Sequence, residues 1–129
     1  KSELEYAMNP DSEHKTDYHK NDFLPLVDMD RIISLGGKRK LFKGLEVHPA
    51  PGHSPGHQVV IAGDSRFTIF FGGDLIPTRE HANLDVTSGY DLDKELILRE
   101  RKKWLTIIKQ EGWNCVYCHS IRDHIGKID

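Results

Sequence analysis

Apolar and polar positions change period along this chain, and each change predicts an element. Residues 1–22 are mostly charged or polar, with packing surface only at Leu4, Tyr6, Ala7 and Met8, and Asn9-Pro10-Asp11-Ser12 is a turn signal. A short edge element followed by a mobile loop is expected, with His14 and His19 as solvated loop residues. Phe23-Leu24-Pro25-Leu26-Val27 forms an apolar anchor. Arg31 to Leu35 predicts a short strand closed by Gly36-Gly37, and Lys40 to Phe42 predicts another. Leu45-Glu46-Val47-His48 alternates with period two, as a half-buried strand does. That alternation puts His48 on the polar face and removes it from the candidate ligands.

Two longer strands follow. Gln58 to Ala62 is β-branched and apolar, Gly63 to Arg66 reads as a turn, and Phe67 to Phe71 is a run of similar length. A hairpin that runs out and back over similar lengths returns the chain to its starting edge. The segment before it, Pro51-Gly52-His53-Ser54-Pro55-Gly56-His57, should therefore meet Gly72-Gly73-Asp74 after it. Two prolines and two glycines make a helix over 51–57 untenable, so both histidines sit in a rigid, tightly bent loop.

Residues 75–90 predict a long loop containing Arg79, His81, Asp85 and Tyr90, and loops of that length are often functional. Asp91 or Asp93 caps a helix from Lys94 to Gln110, with Gly112 in the stop position. Ile97, Trp104, Leu105 and Ile108 form one core-facing stripe along it. Asn114 to Cys118 is a last strand that delivers His119 at its end. Strand, helix and strand in that order give a crossover unit and an α/β fold with helices covering one sheet face.

Composition narrows the function classes. With 129 residues the chain has room for one domain and one modest core. A net charge of -2 without basic runs leaves no footprint for nucleic acid or a membrane surface. The apolar runs are too short to span a bilayer. Cys115 and Cys118 are the only cysteines, which points to a reducing, cytoplasmic setting. Cys115-x-x-Cys118 could be a redox pair or half a zinc knuckle, but on a strand its members face opposite ways and no second pair completes a site.

Eight histidines are the one surplus. A carboxylate and two imidazoles at strand ends, Asp74 with His53 and His119, suit a borderline divalent cation and leave room for water. His57 is read as a brace that hydrogen-bonds backbone, His81 as a substrate-loop contact and His124 as a surface residue.

At this point the residues resemble a known family. Ala50-Pro51-Gly52-His53-Ser54-Pro55-Gly56-His57-Gln58, then Gly73-Asp74, then His119, are similar to the C-terminal half of the metallo-β-lactamase fold. Gly73-Asp74-Leu75-Ile76-Pro77-Thr78, followed by His81, Tyr90-Asp91 and Glu111-Gly112-Trp113, is most similar to the quorum-quenching N-acyl homoserine lactonases. The likeness runs from about Glu3 to Ile128. It implies half of an αββα sandwich with a dinuclear site, usually zinc. His53 would bind one metal, Asp74 would bridge both, and His119 would bind the second. The implied reaction is hydrolysis of a lactone or related ester by a metal-bound hydroxide.

The family's His-x-His-x-Asp-His string does not occur here, so the chain offers three of seven expected ligands and, alone, is expected to be inactive. Pro77 stands where such lactonases often place a tyrosine, and Ser120 follows the last histidine in place of an aspartate. A glyoxalase-II-like thioesterase, a phosphodiesterase or a non-catalytic binding module of the same fold are the alternatives. Half a sandwich exposes a sheet face, which predicts a homodimer or other association through it.

Overall fold

The computed structural model describes residues 1–128. Six strands form one sheet: β1 (Arg39–Phe42), β2 (Leu45–Pro49), β3 (Gln58–Gly63), β4 (Thr68–Phe71), β5 (Asn114–Val116) and β6 (Ile125–Gly126). They lie in chain order, all antiparallel except the β4–β5 pair. That one parallel pair is the expected crossover, made by α3 (Lys94–Glu111). Asp93 caps α3 by accepting the Leu96 N–H at 2.9 Å, and Gly112 ends it in the left-handed region at φ 62°.

Cross-strand partners show which face α3 covers. Ile61 pairs with Phe70, and Phe70 with Cys115, so these three share a face. Against them lie Ile97, Trp104, Leu105 and Ile108 of α3, in one core with Val59 and Leu75. The opposite face carries Val60, Phe71 and Val116, and there Phe71 stays 40% exposed and Ile125 49% exposed. No described helix is long and apolar enough to cross a membrane.

Several expectations are corrected. The polar N-terminal stretch is not an edge element but a helix, α1 (Ser2–Met8), built from good helix formers with Glu3 and Glu5 in its first turn. The segment after it is fastened, with the Tyr6 hydroxyl donating to Asp11 at 2.8 Å and the Tyr18 hydroxyl to Glu3 at 2.8 Å. The apolar anchor is the helix α2 (Lys20–Asp28), which has no buried residue. Arg31 to Leu35 forms no strand: Asp30 turns the chain at φ 52°, and Ile33 is left 86% exposed.

His48 does not face solvent. It pairs with Val59 on the helix-covered face and meets Trp104 edge-on, ring centroids 5.1 Å apart. Val47 on the opposite face is buried as well, so β2 is covered on both sides at this point. The last long strand ends at Val116, so a turn over Tyr117–Ser120 delivers His119, and β6 adds an edge the pattern did not suggest.

Candidate metal centre

The hairpin brings its two ends together. His53 Nε2 lies 3.6 Å from Asp74 Oδ2, and His119 Nε2 lies 2.9 Å from Asp74 Oδ1. One carboxylate thus turns an oxygen to each of two imidazoles contributed by different loops. All three side chains are partly open, at 27% for His53, 37% for Asp74 and 64% for His119. They line one end of a cleft of about 860 Å³.

What holds His53 is a residue the sequence left as a spare cap. Its Nδ1 sits 3.1 Å from Oδ1 of Asp91, whose side chain is fully buried. A carboxylate only accepts, so Nδ1 donates to Asp91, and Nε2 is the ring nitrogen turned toward Asp74. The other Asp91 oxygen accepts the Ser88 N–H at 3.1 Å, which fixes the carboxylate in turn. Asp91 and Asp93 both precede α3; Asp93 caps, which frees Asp91 for the histidine.

His57 is oriented from both sides. Nδ1 donates to the Ala50 carbonyl at 3.1 Å, and Nε2 accepts the backbone N–H of Asp74 at 3.0 Å. Its ring is therefore neutral, and burial holds its pKa below the ordinary histidine value. The close approach explains Gly73, whose φ is +52° and whose Cβ, if present, would lie 2.7 Å from His57 Nε2.

The histidine loop is gripped from two further directions. Glu3 of α1 accepts the Ser54 hydroxyl at 2.6 Å and the Gly56 N–H at 2.9 Å, both through Oε2. At Gly52, φ +133°, a Cβ would meet the Ile97 backbone at 2.5 Å, so the loop rests directly on α3. Glu3 is the functional-site contact that sequence pattern gave least sign of, since an acidic residue early in a helix looks solvated.

Farther along the cleft, His81 accepts or donates through Nδ1 to the Thr78 hydroxyl at 2.9 Å. Burial, then the Arg101 charge, keep its pKa below the ordinary value. Fully buried Arg101 donates Nε to the Leu75 carbonyl at 2.8 Å and Nη1 to the Val86 carbonyl, tying both ends of the His81 loop to α3. His14, expected in open solvent, also lines the cleft, and its ring contacts Asp17 at 3.0 Å. The His124 carbonyl accepts the Tyr117 N–H at 2.8 Å, and its side chain does not line the cleft.

The donor set suits zinc. Tetrahedral bonds of about 2.1 Å to nitrogen and oxygen place the two donors roughly 3.4 Å apart. The observed separations of 3.6 and 2.9 Å bracket that spacing.

No family model matches the chain, and no curated protein matches its sequence. Solved structures do match. A probable metal-dependent hydrolase from Staphylococcus aureus superposes with TM-score 0.80 at 19% identity, over 90% of this chain and 41% of its own. An N-acyl homoserine lactone hydrolase, with N-hexanoyl-L-homoserine at its catalytic metal centre, gives 0.79 at 24% identity, over 95% and 46%. A dizinc quorum-quenching lactonase gives 0.70 at 18%, over 98% and 48%. The fold is thus one half of the metallo-β-lactamase sandwich, a mixed sheet with a covering helix. The chain spans less than half the length of each of these structures.

Proposed function

We propose that this chain supplies one wall of the metal centre of a hydrolase that opens lactones or related esters. The reading rests on a single observation: His53 is held by Asp91 through Nδ1 with Nε2 turned to the cleft, opposite an Asp74 carboxylate shared with His119. Carboxylate–histidine pairing of this kind orients metal ligands. What the similar hydrolases bind, a lactone product at a metal centre and a pair of zinc ions, agrees with it.

In this reading His53, Asp74 and His119 hold the metal, with Asp74 placed to serve two positions. The bound metal would polarise an acyl carbonyl and lower the pKa of water enough to make it a nucleophile near neutral pH. The residues of the chain do the rest. His57 fixes the Asp74 backbone, and Asp91 fixes the His53 ring. With the Thr78 hydroxyl donating to His81 Nδ1, His81 Nε2 carries its hydrogen and offers it to a substrate oxygen in the cleft.

Three of the seven ligands implied by the family resemblance are present, so activity is assigned to a longer protein containing this chain. The test is hydrolysis of an acyl lactone by that protein with zinc present. Loss of turnover in Asp74→Ala is expected. Unchanged turnover in that variant overturns the reading, and a zinc-free intact protein favours a binding module of the same fold.

A further inference from the structure

The turn that carries His119 holds one more donor. Cys118 Sγ, a carboxylate oxygen of Asp74 and a ring nitrogen of His119 all lie within 4.8 Å of one another. Cys118 and His119 are adjacent in sequence, and the turn that presents them is pinned by the His119 N–H on the Pro77 carbonyl at 2.9 Å. Cys115, its partner in the Cys-x-x-Cys spacing, is fully buried on β5 against the core and cannot join it. The two cysteines thus differ in setting, Cys115 buried in the core and Cys118 exposed at the cleft end of the turn.

We propose that Cys118 is a thiolate ligand to the metal position served by Asp74 and His119, so that this chain alone offers one ion three donors: sulfur, oxygen and nitrogen. The inference rests on the reading that Asp74 and His119 hold a metal. Around zinc, a sulfur at 2.3 Å and nitrogen or oxygen at about 2.1 Å stand roughly 3.4 to 3.6 Å apart. Closing from the observed spacing moves the tips of exposed side chains by about an ångström, which rotamer adjustment supplies. The fourth tetrahedral position stays open for water or substrate. On binding, the thiol S–H bond breaks, its proton passes to solvent, and a sulfur–metal bond forms without change of oxidation state. A thiolate in the set favours zinc, cobalt or cadmium over magnesium or calcium.

This donor set is independent of His53, which lies on the other Asp74 oxygen. Two consequences follow for the two ions the fold implies. The position with sulfur would fill first in this chain, and the position at His53 would wait for ligands from elsewhere.

Titration of the 129-residue chain with Co²⁺ tests this directly, because a thiolate bound to cobalt gives an intense sulfur-to-metal charge-transfer band in the near ultraviolet. The band should appear at one equivalent and vanish in Cys118→Ser, with affinity for Co²⁺ falling at least about tenfold, the lower end of what removing even an outer-shell partner costs. It should persist in Cys115→Ala. Zn²⁺ should likewise protect Cys118 from iodoacetamide, a readout that needs no spectroscopy of the variant. Bound Co²⁺ without the band, or a band that survives Cys118→Ser, overturns the cysteine ligand and leaves the hydrolase reading intact. A chain that binds no Co²⁺ at millimolar concentration overturns this site and, separately, removes support for metal at Asp74 and His119.

Discussion

His53 and Asp91 are joined by a 3.1 Å hydrogen bond from Nδ1 to Oδ1, and that bond decides which ring nitrogen faces the cleft. In Asp91→Asn the side-chain amide can no longer accept from both the ring and the Ser88 N–H, so one of the two donors is left unpaired. Affinity for zinc at His53 in the intact protein should fall by about 10- to 100-fold with the fold unchanged. Competition against a chelating dye, with circular dichroism as control, checks it. Unaltered affinity would mean that the ring is held by its surroundings alone.

Gly73 is packed closely against His57. An alanine there would take a left-handed conformation and place its Cβ 2.7 Å from His57 Nε2. Gly73→Ala should cost about 1–3 kcal/mol and break the bond from the Asp74 N–H to His57. Urea unfolding gives the first, and loss of metal binding at Asp74 gives the second.

His57 also makes stability depend on pH in a definite direction. Burial lowers its pKa in the folded chain below the ordinary 6.5. Above that value the ring is neutral in both states and its contribution is complete. As pH falls through 6.5 the unfolded chain takes up a proton that the folded chain refuses, and stability is lost until the folded pKa is passed. The urea midpoint should therefore drop between pH 7.5 and pH 5, and the ring should titrate by NMR below 6.5. A His57 signal titrating at or above 6.5 would contradict the bond pattern at its two nitrogens.

Exposed Phe71 and Ile125 mark the uncovered face of the sheet. The chain by itself should sediment as a dimer or larger species associated through that face. Phe71→Lys, on the solvent side of β4, should shift it toward monomer. A compact monomer for the unsubstituted chain would show that the face is tolerated bare.

Much of this architecture was legible because its causes are local. Strand lengths on either side of the Gly63 turn sufficed to place His53 beside Asp74, and Asp93 with Gly112 marked both ends of α3. What escaped depends on partners distant in sequence. Glu3 reads as a solvated helix residue until Ser54 and Gly56 are brought to it. Arg101 falls on the buried stripe between Ile97 and Trp104, yet a charged residue is discounted there unless the carbonyls of Leu75 and Val86 are known to meet it. His48 was misjudged for the complementary reason: period two gives two faces but does not say which one a helix will cover. Asp91 was half visible, since two aspartates before one helix cannot both be its cap.

The Glu3 grip gives the first helix a mechanical role. Both of its contacts on the histidine loop are made by a single oxygen, one residue and three residues beyond His53. Tension or tilt applied to α1 would therefore reach the loop that carries His53, which is packed through Gly52 against Ile97 on its far side. Whatever binds α1 would have a lever on the His53 loop.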